Sequence, residues 1–518
     1  MSAERRVSRS LPVINVMSGY ASQAWVMVLN LAFIPVFVYY LGVDAWGIVA
    51  LLAVIQSIFG ILDFGLSPMI TRELAFLKSK EGKASELVDL FYTTRLIFVL
   101  IGVIGGAGIG LAGTSLFQNV DAFNSFDQVT LDRSFWLIGV ICAARFIEVG
   151  FRGALFGFEK HALYNIVLAA VTTARNLGCL AIVTFVSSDV EMFLASQAIF
   201  FCLGVLILWL KTSGELPKIE GKASIRFRLI LSRAHFSGHI LANSLLGVAL
   251  TQFDKLIVSS MVTAAEFAHF MLAATLANAV STIVTPVTNA MFPNMTRRIS
   301  ENDNVSARRV FHLSCGFITL VTVPGCLVVI LFPEHAIWLW SGSQDFVNAL
   351  PAYVVPLMIG ALLQAVIAMP MYLAYTFKKP NILTYFNLVV AVFYLSGAWV
   401  LAAKADVRLV PWLWVAVNCS YVLLLVPMIF RQTLQIGFLR WLSSNLLIPT
   451  MLGTALLMFA LQFVSPPVGR FNVLVVLSAL LICVTTLVLV SNSVTMRGAV
   501  RVVQARFPTW MGNVKKDD

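Results

Sequence analysis

Residues 237–262, SGHILANSLLGVALTQFDKLIVSSMV, are followed after four residues by FAHFMLAATLANAVSTIVTPVTNAMFPNMTRR at 267–298. A membrane-crossing helix needs about 20 mostly apolar residues to pass roughly 30 Å of hydrocarbon. Both runs exceed that length, and the second closes on arginines. The pair has an echo near the N-terminus, where Ser18-Gly19 opens two similar runs that close at Thr71-Arg72, as Ser237-Gly238 and Thr296-Arg297 bound this one. The offset is 219 residues at the start and 225 at the end. The short basic turn Phe158-Glu159-Lys160 recurs as Phe377-Lys378-Lys379, again 219 residues on. A repeat of this period in a membrane chain predicts two related halves with a working site between them.

Working outward, 59% of the 518 residues are hydrophobic and 12% charged, and the mean hydropathy is +0.88. Apolar runs are too frequent for one soluble core, and they are longer than the roughly 10-residue alternating segments of a β-barrel. The start, MSAERRVSRS, leads into an apolar stretch that reaches Tyr40 without a small-residue cleavage site, so it reads as a retained first span. All seven cysteines fall in apolar runs with no Cys-x-x-Cys pair, which favours packing over metal or disulfide chemistry. His235 and His239 are one turn apart but have no third ligand beside them, so no metal and no cofactor is expected. The formal charge of +11 is dispersed between spans instead of gathered on one face, which argues for membrane orientation and against nucleic acid.

Breaking the chain at polar clusters gives fourteen expected spans: 13–40, 46–69, 90–117, 134–157, 163–186, 191–211, 237–262, 267–293, 311–332, 351–376, 383–403, 410–430, 443–464 and 472–495. Alternate connections then hold 28 of the 36 basic residues, and the opposite connections hold Arg133, Lys404, Arg408 and Arg470. Positive-inside orientation puts both termini in the cytoplasm. The expected fold is all-α and polytopic, with about 14 transmembrane helices in two pseudo-symmetric six-helix lobes plus a C-terminal helix pair. The expected parts are lobe 1–213, a cytoplasmic linker 214–236, lobe 237–432, the pair 443–496 and a tail 497–518. The stretch IRFRLILSR in the linker, and residues 497–507 with Arg497, Arg501 and Gln504 at helical spacing, read as helices at the membrane surface. Loops 118–133 and 333–350 read as the longest external connections.

An ionisable group in mid-span costs about 2.5 to 3.5 kcal/mol on insertion scales, so it must face protein or water. Arg145 and Arg175 are central in the fourth and fifth spans. Arg145, Glu148 and Arg152 follow at i, i+3 and i+7 and share one helical face. Glu148 there is either a structural partner for Arg145 or part of a binding site. Arg175 has no acid in its own span, which marks it for an anionic ligand that a guanidinium grips bidentately. Asp254 and Lys255 are adjacent in the seventh span, so their side chains should diverge by roughly 100° and not pair. Lys255 reads as an anchor or a site residue, and Asp254 as a cap on a broken helix or a coupling-cation ligand, a role open also to Glu148. Asp63 and Arg95 fall near the cytoplasmic ends of their spans. The second half offers amides instead of charge, among them Gln364, Asn387 and Asn418, each more readily interhelical glue than ligand contact.

The stretches DKLIVSSMVTAAEFAHFMLAATLANAVSTIVTPVTNAMFPNMTR, VYYLGVDAWGIVALLAVIQSIFGILDFGLSPMITRELA, GALFGFEKHALYNIV and IWLWSGSQDF resemble bacterial Wzx-type polysaccharide and O-antigen flippases of the multidrug/oligosaccharidyl-lipid/polysaccharide (MOP) exporter superfamily. The resemblance covers nearly the whole chain and rests on patterns of apolar and small residues. It implies a V-shaped pair of six-helix lobes alternating between inward-open and outward-open states in the bacterial inner membrane. The cargo it implies is undecaprenyl-pyrophosphate-linked oligosaccharide moved to the periplasmic leaflet, with membrane lipids and polysaccharide-assembly proteins as partners. Many relatives have twelve spans, and the extra pair here resembles the added helices of lipid II flippases. On this reading Arg145 and Arg175, with Glu148, Arg152 and Lys255, form the substrate site of a transporter that is not an enzyme. The alternatives are a drug antiporter, whose cationic cargo suits a more acidic cavity, and a glycan polymerase or ligase, which needs accessible catalytic groups that the short outer loops do not supply.

Overall fold

The computed structural model describes residues 3–63, 65–78, 80, 82–117, 126–217, 224–227, 245–404, 407–463 and 469–491. Every regular element among them is helical. The reason is the solvent: inside hydrocarbon no water bonds a free N–H or C=O, so an apolar run must satisfy its backbone internally. Thirteen of the described helices are long and apolar enough to cross a membrane. The seventh expected span, 237–262, has residues 237–244, including Ser237, Gly238 and His239, outside the described set. His235, most of the surface stretch IRFRLILSR and the C-terminal tail also lie outside it. By its internal contacts the chain divides into two compact units, Met1–Met271 and Leu272–Asp518.

The first unit contains α1 (Ala3–Leu41), α2 (Val43–Phe59), α3 (Leu66–Lys78), α4 (Ala84–Phe117), α5 (Gln128–Gly157), α6 (His161–Phe185), α7 (Val190–Gly214) and α8 (Asp254–Ser259). The unit boundary falls within α9 (Ala264–Ser300). Asp127 starts α5 by accepting the Thr130 N–H at 3.1 Å. The centre of the unit is α5, against which α3, α4 and α7 all pack. Lipid gives no hydrophobic drive between helices, so close backbone approach through small residues holds them. A Cβ on Gly139 of α5 would lie 2.2 Å from the Gly106 carbonyl oxygen of α4, a space only hydrogen fits.

The second expected span, 46–69, is corrected. Helix α2 stops at Phe59, a 3-10 turn covers Gly60–Asp63, and Gly65 takes a φ of 76° before α3 begins. The Asp63 carboxylate accepts the Ser67 N–H at 2.9 Å, fixing the start of α3. This helix buries Met69, Ile70, Leu74 and Leu77 on one face, and its Thr71 Oγ1 donates to the Gly153 carbonyl of α5 at 2.9 Å.

The second unit continues with α10 (Asn304–Leu331), capped by Asp303 accepting the Ser306 N–H at 3.0 Å. The connection 333–350 folds into α11 (Pro333–Ser341) and α12 (Gln344–Ala349). Then follow α13 (Pro351–Thr376), α14 (Pro380–Lys404), α15 (Val410–Ser420), α16 (Val426–Gln432), α17 (Phe438–Leu442), α18 (Ile448–Leu461) and α19 (Arg470–Ser491). Single π-helical turns join α15 to α16 and α17 to α18. Asn387 acts here as glue, its Oδ1 accepting the Tyr421 hydroxyl at 2.9 Å, whereas Asn418 donates within its own helix to the Trp414 carbonyl at 2.9 Å.

The repeated basic turn has one conformation in both places. Glu159 (φ 62°) ends α5 with the Lys160 N–H on the Leu155 carbonyl at 2.8 Å, and Lys378 (φ 54°) ends α13 with the Lys379 N–H on the Ala374 carbonyl at 2.9 Å. Both are Schellman caps. Each following lysine then ties off a later helix, Lys160 through Glu215 beyond α7 at 3.1 Å and Lys379 through the Gln432 carbonyl of α16 at 2.9 Å.

Candidate functional site

The two mid-span arginines converge within the first unit. Arg145 Nη1 lies 2.7 Å from Glu148 Oε2 on the same face of α5. The other carboxylate oxygen accepts the Tyr164 hydroxyl of α6 at 3.0 Å, so Glu148 ties two helices together. Arg175, also on α6, donates to Asn30 Oδ1 of α1 at 3.2 Å. Phe201 of α7 meets both guanidinium groups, its ring centroid 4.7 Å from Arg175 Cζ and 5.3 Å from Arg145 Cζ. One aromatic ring thus offers negative quadrupole density to two cations.

Arg145, Glu148, Tyr164, Arg175 and Phe201, with Val171 and other apolar residues, line one cavity. Its volume is about 30 Å³, room for roughly one water. Two cations face a single carboxylate here, which leaves one net positive charge among apolar walls. Arg175 meets a neutral amide, and among the described residues no carboxylate forms an ion pair with it. An anion entering this space would find a part-buried fork donor already held in place.

Of the other expected site residues, Arg152 does not line the cavity but acts electrostatically on both Tyr164 and Asp63. Asp254 and Lys255 begin α8, which packs on α2, and they take no part in lining this cavity. Their expected divergence is overturned. Lys255 Nζ lies 3.3 Å from Asp254 Oδ1 and also donates to the Thr251 carbonyl one turn back. The 100° between adjacent residues describes their Cβ directions, whereas a four-carbon stem curls back. The preceding turn, Ala249–Phe253, is π-helical. Both side chains are buried, 12% and 6% exposed, so Lys255 does not reach outward to the membrane surface.

Tyr164, Phe201 and Asn30 were missed in the sequence. Asn30 carried a signal, as an amide inside the apolar run VMVLNLAFIP. Tyr164 and Phe201 carried none, since an aromatic residue in a span reads as lipid-facing or core. Among the described residues no group of three or more His, Cys, Asp or Glu side chains could hold a metal ion.

Thirteen helices of membrane-crossing length among the described residues, with Arg145, Glu148 and Arg175 brought to one cavity, define a polytopic membrane protein. Its fold is that of the MOP superfamily: a lipid II flippase, MurJ, in an inward closed conformation superposes with a TM-score of 0.69 at 11% identity over 94% of this chain and 100% of that one. An inward-facing multidrug resistance MATE transporter of the same superfamily gives 0.58 at 12% identity, over 81% and 94% of the two chains. The chain belongs to the polysaccharide biosynthesis protein family, whose pattern matches residues 13–299. A Shigella flexneri protein that carries the name of an O-antigen transporter is 20% identical over 386 residues, 74% of this chain and 89% of that protein.

Proposed function

We propose that this chain flips an undecaprenyl-pyrophosphate-linked oligosaccharide from the cytoplasmic to the periplasmic leaflet of a bacterial inner membrane by alternating access. The carrying observation is the placement of Arg145 and Arg175 on one Phe201 ring in a cavity with a single carboxylate. Such a site suits pyrophosphate or acidic sugars and repels the cationic cargo of a drug antiporter. The S. flexneri relative, named for O-antigen transport, and the fold shared with a lipid II flippase point the same way. Arg152, at the α5 end nearest the basic turn, draws the headgroup inward, and the lipid tail stays in the bilayer. A cavity of about 30 Å³ does not hold pyrophosphate, so loading requires α5, α6 and α7 to part. Opening of this kind belongs to an alternating-access cycle.

With both termini in the cytoplasm, cargo carrying about two negative charges gains roughly 4 to 5 kcal/mol per 100 mV of inside-negative potential on moving outward. Glu148 and Asp254 are the candidate sites for any coupling ion, and Lys255 takes its part beside Asp254 instead of in the arginine cavity. Proteins that build and polymerise the glycan are the expected partners. The test is export of lipid-linked glycan in cells holding equal amounts of folded variant. Arg175→Gln and Arg145→Gln should each abolish most export, with Arg175→Lys less damaging. Normal export by both glutamine variants would overturn the cationic-site mechanism.

A further inference from the structure

Against a different face of α5 from the arginine cavity lies a second feature. Ile147 and Glu148 are neighbours on α5, and Cys202 and Phe201 on α7, yet Glu148 and Phe201 line the arginine cavity while Ile147 and Cys202 line a separate furrow. Helices α4 and α7 both pack on α5 and leave this furrow between them. It consists of two adjoining cavities of about 340 and 290 Å³ that share Ile147, Cys202 and Val205. Small residues make its floor: Gly106, Ala107, Gly139, Ala143 and Ala144 line the larger cavity. Along α5 it runs from Trp136 to Phe151, which at 1.5 Å per residue is about 22 Å. That is ample for an acyl chain spanning half of a hydrocarbon core roughly 30 Å thick.

One charged residue lines the furrow, and it sits at one end. Arg95 of α4 lies beside Trp209 and Phe151, its guanidinium over the Tyr92 ring at 4.4 Å. Among the described residues it forms no ion pair. Trp209 near the end of α7 and Trp136 near the start of α5 bracket the furrow in the manner of interfacial aromatic belts. An apolar slot with a single cation at its mouth complements one kind of molecule, an anionic headgroup on a hydrocarbon tail.

We propose that the furrow binds a single anionic glycerophospholipid, its phosphate on Arg95 and one acyl chain laid over Ile147 and Cys202 toward Trp136. The site is independent of the cargo cavity, because α5 and α7 separate the two. In the orientation proposed above, Arg95 stands in the cytoplasmic leaflet, where anionic lipid is attracted to basic side chains.

The test uses the full-length protein in nanodiscs of phosphatidylcholine doped with phosphatidylglycerol, released into native mass spectrometry. The wild-type protein should retain one phosphatidylglycerol in preference to phosphatidylcholine. Arg95→Gln should weaken that retention about fivefold, the effect of one basic side chain at a membrane surface, and Arg95→Lys should keep most of it. Cys202→Trp, which fills the middle of the furrow and leaves Arg95 in place, should also lose it. Equal retention of the two lipids by the wild-type protein would overturn the proposal without recourse to any variant. So would unchanged phosphatidylglycerol retention in Arg95→Gln and Cys202→Trp. Displacement of the bound lipid by undecaprenyl phosphate would reassign the furrow to a polyprenyl carrier and reject the glycerophospholipid.

Discussion

Arg175 donates to the side-chain oxygen of Asn30 at 3.2 Å, across 145 residues of sequence. The partner is neutral, so the bond orients the guanidinium and leaves its charge in place. A carboxylate at position 30 would do the opposite. In the proposed transport mechanism Asn30 is therefore a positioning residue for the anion-binding arginine.

The first prediction follows from that bond. Asn30→Asp should hold Arg175 in an ion pair and reduce glycan export about tenfold or more, given the strength of a charge-assisted bond to a guanidinium. Asn30→Gln keeps a neutral acceptor and should retain most activity. Export assays at matched membrane abundance decide it, and an Asp variant as active as the wild type would remove charge from the mechanism.

The Arg145 and Glu148 pair separates structure from binding. Glu148→Leu alone leaves a guanidinium without its partner and removes the Tyr164 acceptor, so thermal stability in detergent should fall. Arg145 is 43% exposed on its side chain, so the loss should be smaller than the about 3 to 5 kcal/mol of a fully buried pair. The double change Arg145→Leu with Glu148→Leu should recover stability while export stays lost. Recovery of both would make Arg145 a structural partner only.

A third prediction tests the central helix crossing. Gly139→Ala puts a methyl 2.2 Å from the Gly106 carbonyl oxygen, whereas a Cβ on Gly108 of the same α4 meets nothing within 4 Å. The Gly139 variant should lose about 1 to 3 kcal/mol, the usual cost of overpacking, and Gly108→Ala should be neutral. Folded yield and melting temperature report the difference, and equal behaviour would contradict the close α4 to α5 approach.

The buried pair on α8 gives a fourth. Lys255→Met removes the cation beside the Asp254 carboxylate, which is 6% exposed, and should lower stability by up to about 3 to 5 kcal/mol, with Asp254→Leu added in the same chain restoring it. If Asp254 also binds a coupling cation, sodium should raise the melting temperature of Lys255→Met more than that of the wild type. Lack of any stability loss in the single variant would show that the pair is not formed.

Orientation supplies the last. Single cysteines replacing Lys80 and Asp127, both exposed, are expected on opposite sides of the membrane. An impermeant maleimide added to intact spheroplasts should label position 127 and spare position 80. Reversed labelling would invert the proposed topology and with it the direction in which the membrane potential acts on an anionic cargo.

Much of the architecture was legible because the bilayer is a demanding solvent. Twenty apolar residues must form a helix, and the partition of 28 basic residues into alternate loops fixes the expected spans between them. The echo of Phe158-Glu159-Lys160 in Phe377-Lys378-Lys379 proved to be a shared Schellman cap with positive φ at the middle residue. Local backbone geometry of that kind is written in short stretches. The second span misled because Ile61, Phe64 and Leu66 read as continuous with it, whereas Asp63 and Gly65 end one helix and start another.

By itself the sequence determined an all-helical membrane chain with two arginines and a glutamate at depths where charge is costly. Which of them meet was decided by tertiary packing. Arg145 and Arg175 are 30 residues apart, and nothing in either span specifies that both come to lie against Phe201 of a third helix, or that Asn30 of a fourth holds one of them. Those contacts depend on the rotation of each helix about its own axis. That rotation is set in lipid by close approaches such as Gly106 on Gly139, because hydrocarbon surrounds every apolar face alike and cannot choose between them.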